Sequence, residues 1–420
     1  MESFSYRNDD LYCEDVALAE IAAEYGTPCY VYSKAFLLSR SRAYLQALTG
    51  QKHLICYSVK ASSNVALLKI FGDQGLGCDI VSGGELFRAK LAGIPGQKIV
   101  YSGVGKRSDE IRAALEYNIL FFNVESEQEL YLINQIAAEM GIVAPVTLRV
   151  NPDVDPLTHP YISTGLKENK FGIPIDEAER LYLKAGNDCK NIKFVGIDCH
   201  IGSQLINLSP FRDSAVRVRS LIENLRSQDL ILDFIDFGGG LGILYDDEDV
   251  PDVSQLIDIF TEVFDGLDMT LVLEPGRSMV GNSAVMLTRV QYLKNNADKR
   301  FAIVDAGMND LMRPALYGAF QRIEKVSNTK QSVSNSIYQY DIVGPICESG
   351  DFLAKGRSLS LLNQGDLLAV RGSGAYGFSM SSSYNSRPRA VELLVDGSSV
   401  TVIRARESYE DLVRGEKLGG

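Results

Sequence analysis

The sequence has few of the residues that build metal sites and disulfide frameworks. Its 420 residues include three histidines, and none of them stands in an H-E-x-x-H pattern. The seven cysteines are odd in number and show no C-x-x-C spacing. A zinc site, a histidine-rich metal centre and a disulfide scaffold are therefore not indicated, and we expect free thiols and no bound metal.

Long apolar runs and clusters of basic residues are missing as well. The opening MESFSYRNDD has no apolar core of a signal peptide, and no window approaches the roughly 18 apolar residues of a membrane span. Acidic side chains outnumber basic ones by 54 to 42, which gives a net charge of -12. Because Lys and Arg do not cluster, a nucleic-acid partner is not expected. The sequence predicts a cytoplasmic protein without a membrane partner.

Between about residues 50 and 280, short apolar runs alternate with amphipathic segments that carry helix start signals. The eight runs are HLICYSVK, GCDIVS, KIVYSGV, ILFFNVES, VTLRVNP, KFVGIDCHIG, FIDFGGGLG and LVLEPGR. Strands that are apolar throughout, each followed by a helix, indicate a parallel sheet covered by helices. The count of eight favours an α/β fold with a closed (β/α)8 TIM barrel over an open doubly wound sheet.

After about residue 281 the pattern changes to strands without long helices between them. Examples are AVMLTRVQYLK, RFAIVDAG and RAVELLVDG. They predict a second domain, an antiparallel β-sandwich or β-barrel. The early segment GTPCYVYS is also strand-like and is expected to join that domain. The predicted organisation is an N-terminal segment at 1–35, the barrel at 36–280 and the C-terminal β domain at 281–420.

Polar and glycine residues stand where the predicted barrel strands end, and a barrel builds its active site at those ends. The residues are Lys60, Asp79, Ser82, Arg149, Asn151, His200, Gly238, Gly239, Gly240, Glu274, Gly276 and Arg277. Taken singly, each has an ordinary explanation: a strand-end lysine that reaches solvent, a structural histidine, or a turn of glycines. Their expected convergence on one mouth is the informative feature.

Together these residue types indicate one cofactor. Glycines after the seventh strand expose backbone N–H groups that can cradle a phosphate. The lysine at the end of YSVK can form an imine with an aldehyde, and a carboxylate across the site can keep a pyridine nitrogen protonated. Phosphate, aldehyde and pyridine together describe pyridoxal 5'-phosphate. An imine also removes the cost of leaving an isolated ammonium at the tip of a buried strand.

The chain resembles the bacterial diaminopimelate decarboxylases, which are fold type III pyridoxal phosphate enzymes related to alanine racemase. The resemblance runs in order from about Tyr25 to past Arg389. It rests on GTPCYVYS, YSVKASSN, CDIVSGGEL, HPYISTGLKENKFGI, CHIGSQ, DFGGGLG, EPGR, DAGMNDLMRPALYGA, CESGD and GAYGFSMSSSYNSRPR. One departure is YSVKASSN, where the family more often has YAVKAN, so packing around the cofactor is expected to differ slightly.

The resemblance implies roles for individual residues. Lys60 would form the imine, His200 would stack on the cofactor ring and Glu274 would face the pyridine nitrogen. Further cofactor contacts are implied for Asp79, Ser203, Gly238, Gly239, Gly240, Gly276, Arg277 and Tyr376. Substrate contacts are implied for Arg277, Arg313, Tyr317, Glu348 and Tyr376, with Arg277, Arg313 and Tyr317 on a carboxylate and Glu348 on the distal amine. Cys347 is the implied proton donor, and the active unit would be a homodimer with shared active sites.

Three alternatives remain open at this stage. A decarboxylase of ornithine, arginine or lysine would have the same fold, but the cationic pair Arg277 and Arg313 favours meso-diaminopimelate, which carries a second carboxylate. A non-catalytic binding protein would not need Lys60. A racemase would be expected to carry a tyrosine base where CESGD stands. Independently of these alternatives, the polar loop at 159–171 is predicted to be a mobile lid.

Overall fold

The computed structural model describes residues 4–155, 170–296, 299–327 and 336–419. Two compact units make up the chain. The barrel unit consists of Leu38–Ile243 and Asp249–Met279, and the β unit consists of Met1–Leu37, Leu244–Glu248 and Val280–Gly420. The five residues Leu244–Glu248 belong to the β unit although they lie inside the span predicted for the barrel. Most of the predicted lid, residues 159–169, lies outside the described part of the chain.

The chain begins in the β unit and then enters the barrel. The first elements are β1 (Phe4–Arg7), β2 (Asp10–Cys13), β3 (Val16–Ala17), α1 (Leu18–Tyr25), β4 (Cys29–Ser33) and α2 (Lys34–Ala47). Strands β1, β2 and β3 form a small antiparallel sheet in that order. Strand β4, from the GTPCYVYS segment, is buried along its whole length.

The barrel unit alternates strands and helices from β5 to β13. The strands are β5 (His53–Ser58), β6 (Gly77–Ile80), β7 (Ile99–Tyr101), β8 (Phe121–Val124), β9 (Ala144–Asn151), β10 (Ile173–Pro174), β11 (Ile192–Asp198), β12 (Phe234–Asp236) and β13 (Thr270–Leu273). The helices are α3 (Val65–Asp73), α4 (Gly83–Leu91), α5 (Ser108–Glu116), α6 (Glu127–Met140), α7 (Ile175–Asp188), α8 (Ser209–Arg226), α9 (Val253–Val263) and α10 (Arg277–Val280).

Eight of these strands close a ring of parallel pairs. The order runs β5, β6, β7, β8, β9, β11, β12 and β13, and β13 pairs with β5 again through Leu271 opposite His53. The short β10 adds only to the edge of β9. Closure leaves no free sheet edge and brings the carboxyl ends of all eight strands to one rim. The predicted (β/α)8 barrel is confirmed.

Side-chain caps explain where several barrel helices begin. The Asn64 side chain accepts a hydrogen bond from the N–H of Ala66 at 3.0 Å, and α3 begins directly after it. Ser126 accepts from the N–H of Glu129 at 3.2 Å before α6. Each cap satisfies one of the N–H groups that a helix terminus leaves without an internal partner. The helix starts that fix the loops of the rim are therefore encoded locally.

The β unit is a mixed sheet. Its remaining elements are β14 (Ala284–Asn296), β15 (Lys299–Val304), α11 (Arg313–Tyr317), β16 (Ile323–Lys325), β17 (Ile337–Val343), β18 (Phe352–Ser360), β19 (Leu367–Val370), β20 (Val391–Asp396), β21 (Ser399–Arg404) and α12 (Tyr409–Leu412). The main path runs β18, β17, β15, β14, β4, β20, β21, with β19 and β16 attached to β14. Most pairs are antiparallel, while β15–β17 and β4–β20 are parallel. Parallel pairs arise here because the strands concerned are joined by long connections.

Burial of apolar side chains holds each unit together. In the barrel unit, Cys56, Val100, Phe121, Val195 and Val272 pack into one cluster drawn from five strands. A larger cluster in the β unit joins residues of the first 31 positions to residues from β14, β19 and β20. In the part of the chain that the structure describes, we find no helix with the length and apolarity needed to cross a bilayer.

Candidate active site

Lys60 leaves the end of β5 and reaches a buried carboxylate on the neighbouring strand. Its Nζ donates to Asp79 Oδ2 at 2.8 Å, and the Ser58 hydroxyl donates to the same oxygen at 2.6 Å. The Asp79 side chain is fully buried, whereas that of Lys60 is 41% exposed. The other oxygen, Asp79 Oδ1, has no hydrogen-bond partner among the described residues. The amine is therefore anchored to the rim and remains accessible from it.

Glu274 follows β13 and is held by polar side chains of other strands. Asn123 Nδ2 donates to Glu274 Oε1 at 3.1 Å and to Asp236 Oδ2 at 3.1 Å. The Ser102 hydroxyl donates to Glu274 Oε1 at 3.1 Å. All four side chains are buried. One oxygen of Glu274 is thus fixed by two neutral donors, which orients the carboxylate without neutralising it.

Among the residues that the structure describes, the buried acids of the rim outnumber the cations beside them. Burial raises the pKa of Glu274 well above its usual value, and the nearby charges of Asp236, Asp79 and Asp198 raise it further, while Lys60 lowers it. Burial also raises the pKa of Asp236 to about 6. A set of buried carboxylates is stabilised by a cation among them. A protonated pyridine ring supplies such a cation, so the residues present fit pyridoxal phosphate.

An arginine from β9 partly balances this cluster. Arg149 Nη1 pairs with Glu125 Oε1 at 3.0 Å, and its Nε lies 3.9 Å from Asp198 Oδ2. All three side chains are buried. The Glu125 carboxylate also accepts the N–H groups of Gly103 and Gly172 at 3.1 Å each. Glu125 therefore ties three rim loops to one guanidinium.

His200, two residues after β11, is neutral in this setting. Burial lowers the pKa of its imidazole well below the usual value, and the positive charges of Arg149 and Lys60 lower it further. Its Nδ1 accepts a hydrogen bond from the Gly239 N–H at 3.3 Å. This bond assigns the ring proton to Nε2. A neutral flat ring held at this point suits stacking against another ring.

Four glycines at the rim have no space for a side chain. A Cβ on Gly238 would lie 2.6 Å from His200 Nδ1, and one on Gly239 would lie 2.5 Å from the carbonyl oxygen of Glu274. A Cβ on Gly240 would lie 2.8 Å from a backbone oxygen, and one on Gly276 would lie 3.0 Å from a serine Cβ. Bare backbone of this kind, which we call the glycine cradle, fits a phosphate group held by N–H donors.

Gly238→Ala is expected to destabilise the cofactor-free protein by about 1–3 kcal/mol and to weaken cofactor binding. Gly238 has a φ of +60°, and the added methyl would collide with the His200 ring. Gly266→Ala is the matched control, because Gly266 has a φ of +78° but open space around it. Urea unfolding and a cofactor titration would measure both variants. Equal losses in the two variants would contradict the proposed contact with His200.

Two further predicted residues of the barrel unit contact each other. Arg277, the first residue of α10, donates from Nε to the Ser203 hydroxyl at 3.1 Å. Arg277 is buried and Ser203 is half-buried. The guanidinium is therefore held in place by a neutral hydroxyl from the loop after β11.

In the β unit, Arg313 opens the short helix α11 and Tyr317 closes it. Arg313 is buried; its Nη1 donates to the Tyr245 hydroxyl at 2.8 Å, and its guanidinium lies 4.7 Å from the centre of the same ring. Tyr376 has a φ of +56°, a left-handed conformation that is uncommon for a tyrosine. Strained backbone conformations of this kind are frequent at functional sites.

The loop that carries Cys347 and Glu348 is exposed but firmly attached. The Asp351 carboxylate accepts the N–H of Met308 and the N–H of Ile346, each at 2.7 Å. Six of the seven cysteines are buried, and Cys347 is the exposed one. Glu348 is also exposed and accepts a hydrogen bond from the Tyr384 hydroxyl. The structure thus presents a thiol and a carboxylate side by side on the surface of the β unit.

Several rim residues were missed by the sequence reasoning: Ser102, Asn123, Glu125, Asp198 and Asp236. Each is buried in or directly after a strand that is otherwise apolar, as in FFNVES, GIDCH and FIDF. A polar residue inside an apolar strand was the available signal, because burial without a partner is costly. The pattern does not say which of these polar groups pair with one another.

Comparison with known proteins shows which family the chain is similar to. A family described as pyridoxal-dependent decarboxylase, pyridoxal binding domain, matches residues 35–281. The diaminopimelate decarboxylase of Pseudomonas aeruginosa is 52% identical over 418 residues, covering 100% of this chain and 99% of that protein. That of Aquifex aeolicus is 48% identical and covers 97% of this chain and 96% of its own length.

A solved structure is similar over nearly the whole chain. The crystal structure of diaminopimelate decarboxylase from Helicobacter pylori, complexed with L-lysine, is 42% identical with a TM-score of 0.90, and the match covers 94% of this chain and 98% of that chain. Matches of this length and identity leave no part of the fold unaccounted for by one family. With its closed barrel, its rim lysine and its glycine cradle, the chain belongs to the diaminopimelate decarboxylase family of pyridoxal-dependent decarboxylases.

Proposed function

We propose that this chain catalyses the pyridoxal phosphate-dependent decarboxylation of meso-2,6-diaminopimelate to L-lysine and carbon dioxide, the last step of lysine biosynthesis. The observation that carries the proposal is the rim of the barrel, where the amine of Lys60 and the buried carboxylate of Glu274 share one cluster of acids. The relatives named diaminopimelate decarboxylase support the choice of substrate. Its cytoplasmic location stays a prediction.

Pyridoxal phosphate supplies an electron sink for the pair of electrons left when carbon dioxide departs. Lys60 would hold its aldehyde carbon, and Glu274 would hold its ring nitrogen in the charged form. Asn123 and Ser102 orient Glu274 for that task. The glycine cradle would bind the phosphate, and the neutral His200 would pack against the ring.

Buried arginines suit the carboxylates of the substrate. Arg277 and Arg313 are each buried and each donate to a neutral hydroxyl, on Ser203 and Tyr245 respectively. A guanidinium can bind a carboxylate through two parallel hydrogen bonds. We propose that both arginines, with Tyr317, bind substrate carboxylate, and that Tyr376 contacts cofactor and substrate. Ornithine lacks the second carboxylate and would lose these contacts.

Release of carbon dioxide from meso-diaminopimelate and, separately, from ornithine tests the proposal on the purified protein loaded with pyridoxal phosphate. We expect release from diaminopimelate only, with L-lysine as the second product. Release from ornithine alone would keep the cofactor and overturn the substrate. Cofactor binding with release from neither compound would indicate a binding protein.

We also propose a homodimer in which Cys347 and Glu348 of one subunit serve the site of the other. Their exposure on a well-anchored loop supports this, because exposed side chains in fixed positions are accessible to a second subunit. Cys347 would return a proton from its Sγ to the carbon that loses carbon dioxide, and Glu348 would bind the distal ammonium. Sharing between subunits requires a symmetric pair of sites.

Mixing two inactive variants tests the shared site. Lys60→Ala and Cys347→Ala are each expected to be inactive alone. When the two are unfolded together and refolded, half of the dimers are mixed and each has one intact site of two, so about a quarter of wild-type activity should return. Sites built within one subunit would show no recovery, because no subunit then carries both residues.

A further inference from the structure

A tight turn at Tyr384–Ser386 contacts the two residues to which the proposed function assigns chemistry in the β unit. The Tyr384 hydroxyl donates a hydrogen bond to the Glu348 carboxylate. The side-chain oxygen of Asn385 accepts the N–H of Cys347 at 2.8 Å. Two consecutive residues of the turn therefore each hold one of two consecutive residues on the other loop.

The backbone of this turn is unusual. Asn385 has φ 55° and ψ 27°, and Ser386 follows with φ 54°. Left-handed conformations cost free energy for residues other than glycine, and asparagine bears that cost best because its amide bonds locally. Tyr384 is 43% exposed, so its ring contributes little to a core. The turn is therefore better explained by the bonds it makes than by apolar packing.

The turn is attached to the same segment as the Cys347 loop. The N–H of Ser382 donates to the Asn309 carbonyl oxygen at 2.8 Å, and Arg387 Nη2 donates to the Asp305 carbonyl oxygen at 3.2 Å. Asp351 ties the Cys347 loop to Met308 in the same stretch of chain. Both loops consequently hold fixed positions relative to each other.

The contact between Tyr384 and Glu348 leaves the carboxylate able to bind a cation. The hydrogen bond to Glu348 raises the pKa of the Tyr384 hydroxyl, which therefore remains a donor at neutral pH. A carboxylate has about four acceptor directions, and one neutral donor uses a single one of them. The remaining directions suit a primary ammonium group, since nothing in this contact compensates the negative charge.

We propose that Tyr384 and Asn385 are positioning residues: Tyr384 directs the Glu348 carboxylate toward the distal ammonium of the substrate, and Asn385 fixes the backbone of Cys347. This inference rests on the proposed function and adds a specificity device to it. Tyr384 then acts on substrate affinity, whereas Asn385 acts on the rate of proton return.

Tyr384→Phe tests the first half. The variant keeps the ring and removes only the hydroxyl, so KM for meso-diaminopimelate should rise about tenfold while kcat stays within about twofold. The inhibition constant of 2-aminoheptanedioate, which lacks only the distal amine, should not change. Tyr409→Phe is the matched control, because Tyr409 is 75% exposed and lies in α12. An unchanged KM in Tyr384→Phe would overturn the proposal.

Asn385→Gly tests the second half. Glycine accepts the left-handed backbone and removes the acceptor oxygen, so kcat should fall about tenfold with KM unchanged. Asn385→Asp keeps an acceptor oxygen and should retain most of kcat. If kcat falls and KM rises together in all variants, in step with lower melting temperatures, the turn is purely structural and the inference is refuted. Absence of carbon dioxide release from the wild type would instead refute the proposed function.

Discussion

Lys60→Ala should remove covalent attachment of pyridoxal phosphate and lower the decarboxylation rate by at least about 10³-fold. Lys60 carries its amine from the end of β5 to the open rim, where Asp79 holds it at 2.8 Å. Alanine leaves no nucleophile for the aldehyde. It also leaves the fully buried Asp79 carboxylate without its cationic partner, so the cofactor-free variant should be less stable than the wild type.

A second lysine gives a control for Lys60. Lys69 in α3 pairs with Asp73 at 2.8 Å, the same distance, but both side chains are exposed. Lys69→Ala should keep the visible absorbance band of bound pyridoxal phosphate and nearly all activity, because an exposed pair contributes little. The absorbance spectrum and carbon dioxide release would be recorded for both variants. A Lys60→Ala protein that keeps the band after dialysis would contradict the assigned attachment site.

Glu274→Gln should lower kcat by about 10²–10³-fold while preserving the fold. A glutamine amide can accept from Asn123 and Ser102 as Glu274 does. It lacks the negative charge that would keep a pyridine nitrogen protonated. The loss should therefore appear in kcat, with little change in the affinity for cofactor phosphate.

The same substitution, which should lower kcat, should raise the stability of the cofactor-free protein. Burial and the charges of Asp236, Asp79 and Asp198 raise the pKa of Glu274, so the folded state binds a proton more tightly than the unfolded state does. The stability from this proton is present below the ordinary pKa and is lost as pH rises through the raised one. Replacing the acid should then stabilise the folded chain by about 1–3 kcal/mol at about pH 8.

Thermal or urea unfolding of the cofactor-free proteins at about pH 5 and about pH 8 would measure this difference. The wild type should lose stability between the two values, and Glu274→Gln should lose less. Glu85→Gln is a useful comparison, because burial raises the pKa of Glu85 to about 7 and that residue also accepts the Val81 N–H. A Glu274→Gln variant that is less stable than wild type at both pH values would contradict the account of the acidic cluster.

The architecture could be predicted from the sequence because its signals are local. Apolar strands such as GCDIVS and caps such as Asn64 repeat within a few residues, and each repeat specifies one strand or one helix. The mixed sheet of the β unit was predicted less completely. Its parallel pair β4–β20 joins residues that are more than 350 positions apart, and no local pattern reports such a pairing.

The candidate site divides in the same way. Lys60 and the glycines after β12 stood out from the sequence, since a lysine at a strand tip and a glycine triplet are visible one by one. The bonds from Asn123 to Glu274 and Asp236 span 151 and 113 residues. Which buried polar groups share a hydrogen bond depends on strand order around the ring, and so it could not be predicted.

The sequence by itself determined the class of fold, the family and the lysine that would hold the cofactor, because these follow from short motifs and from hydrophobic periodicity. Only the tertiary structure decided that four buried acids meet at one rim and that His200 is neutral. It also decided that Tyr384 and Asn385 hold Glu348 and Cys347 across 36 and 38 residues. Charge, burial and hydrogen bonding are properties of neighbours in space, and neighbours in space are settled only when the chain has folded.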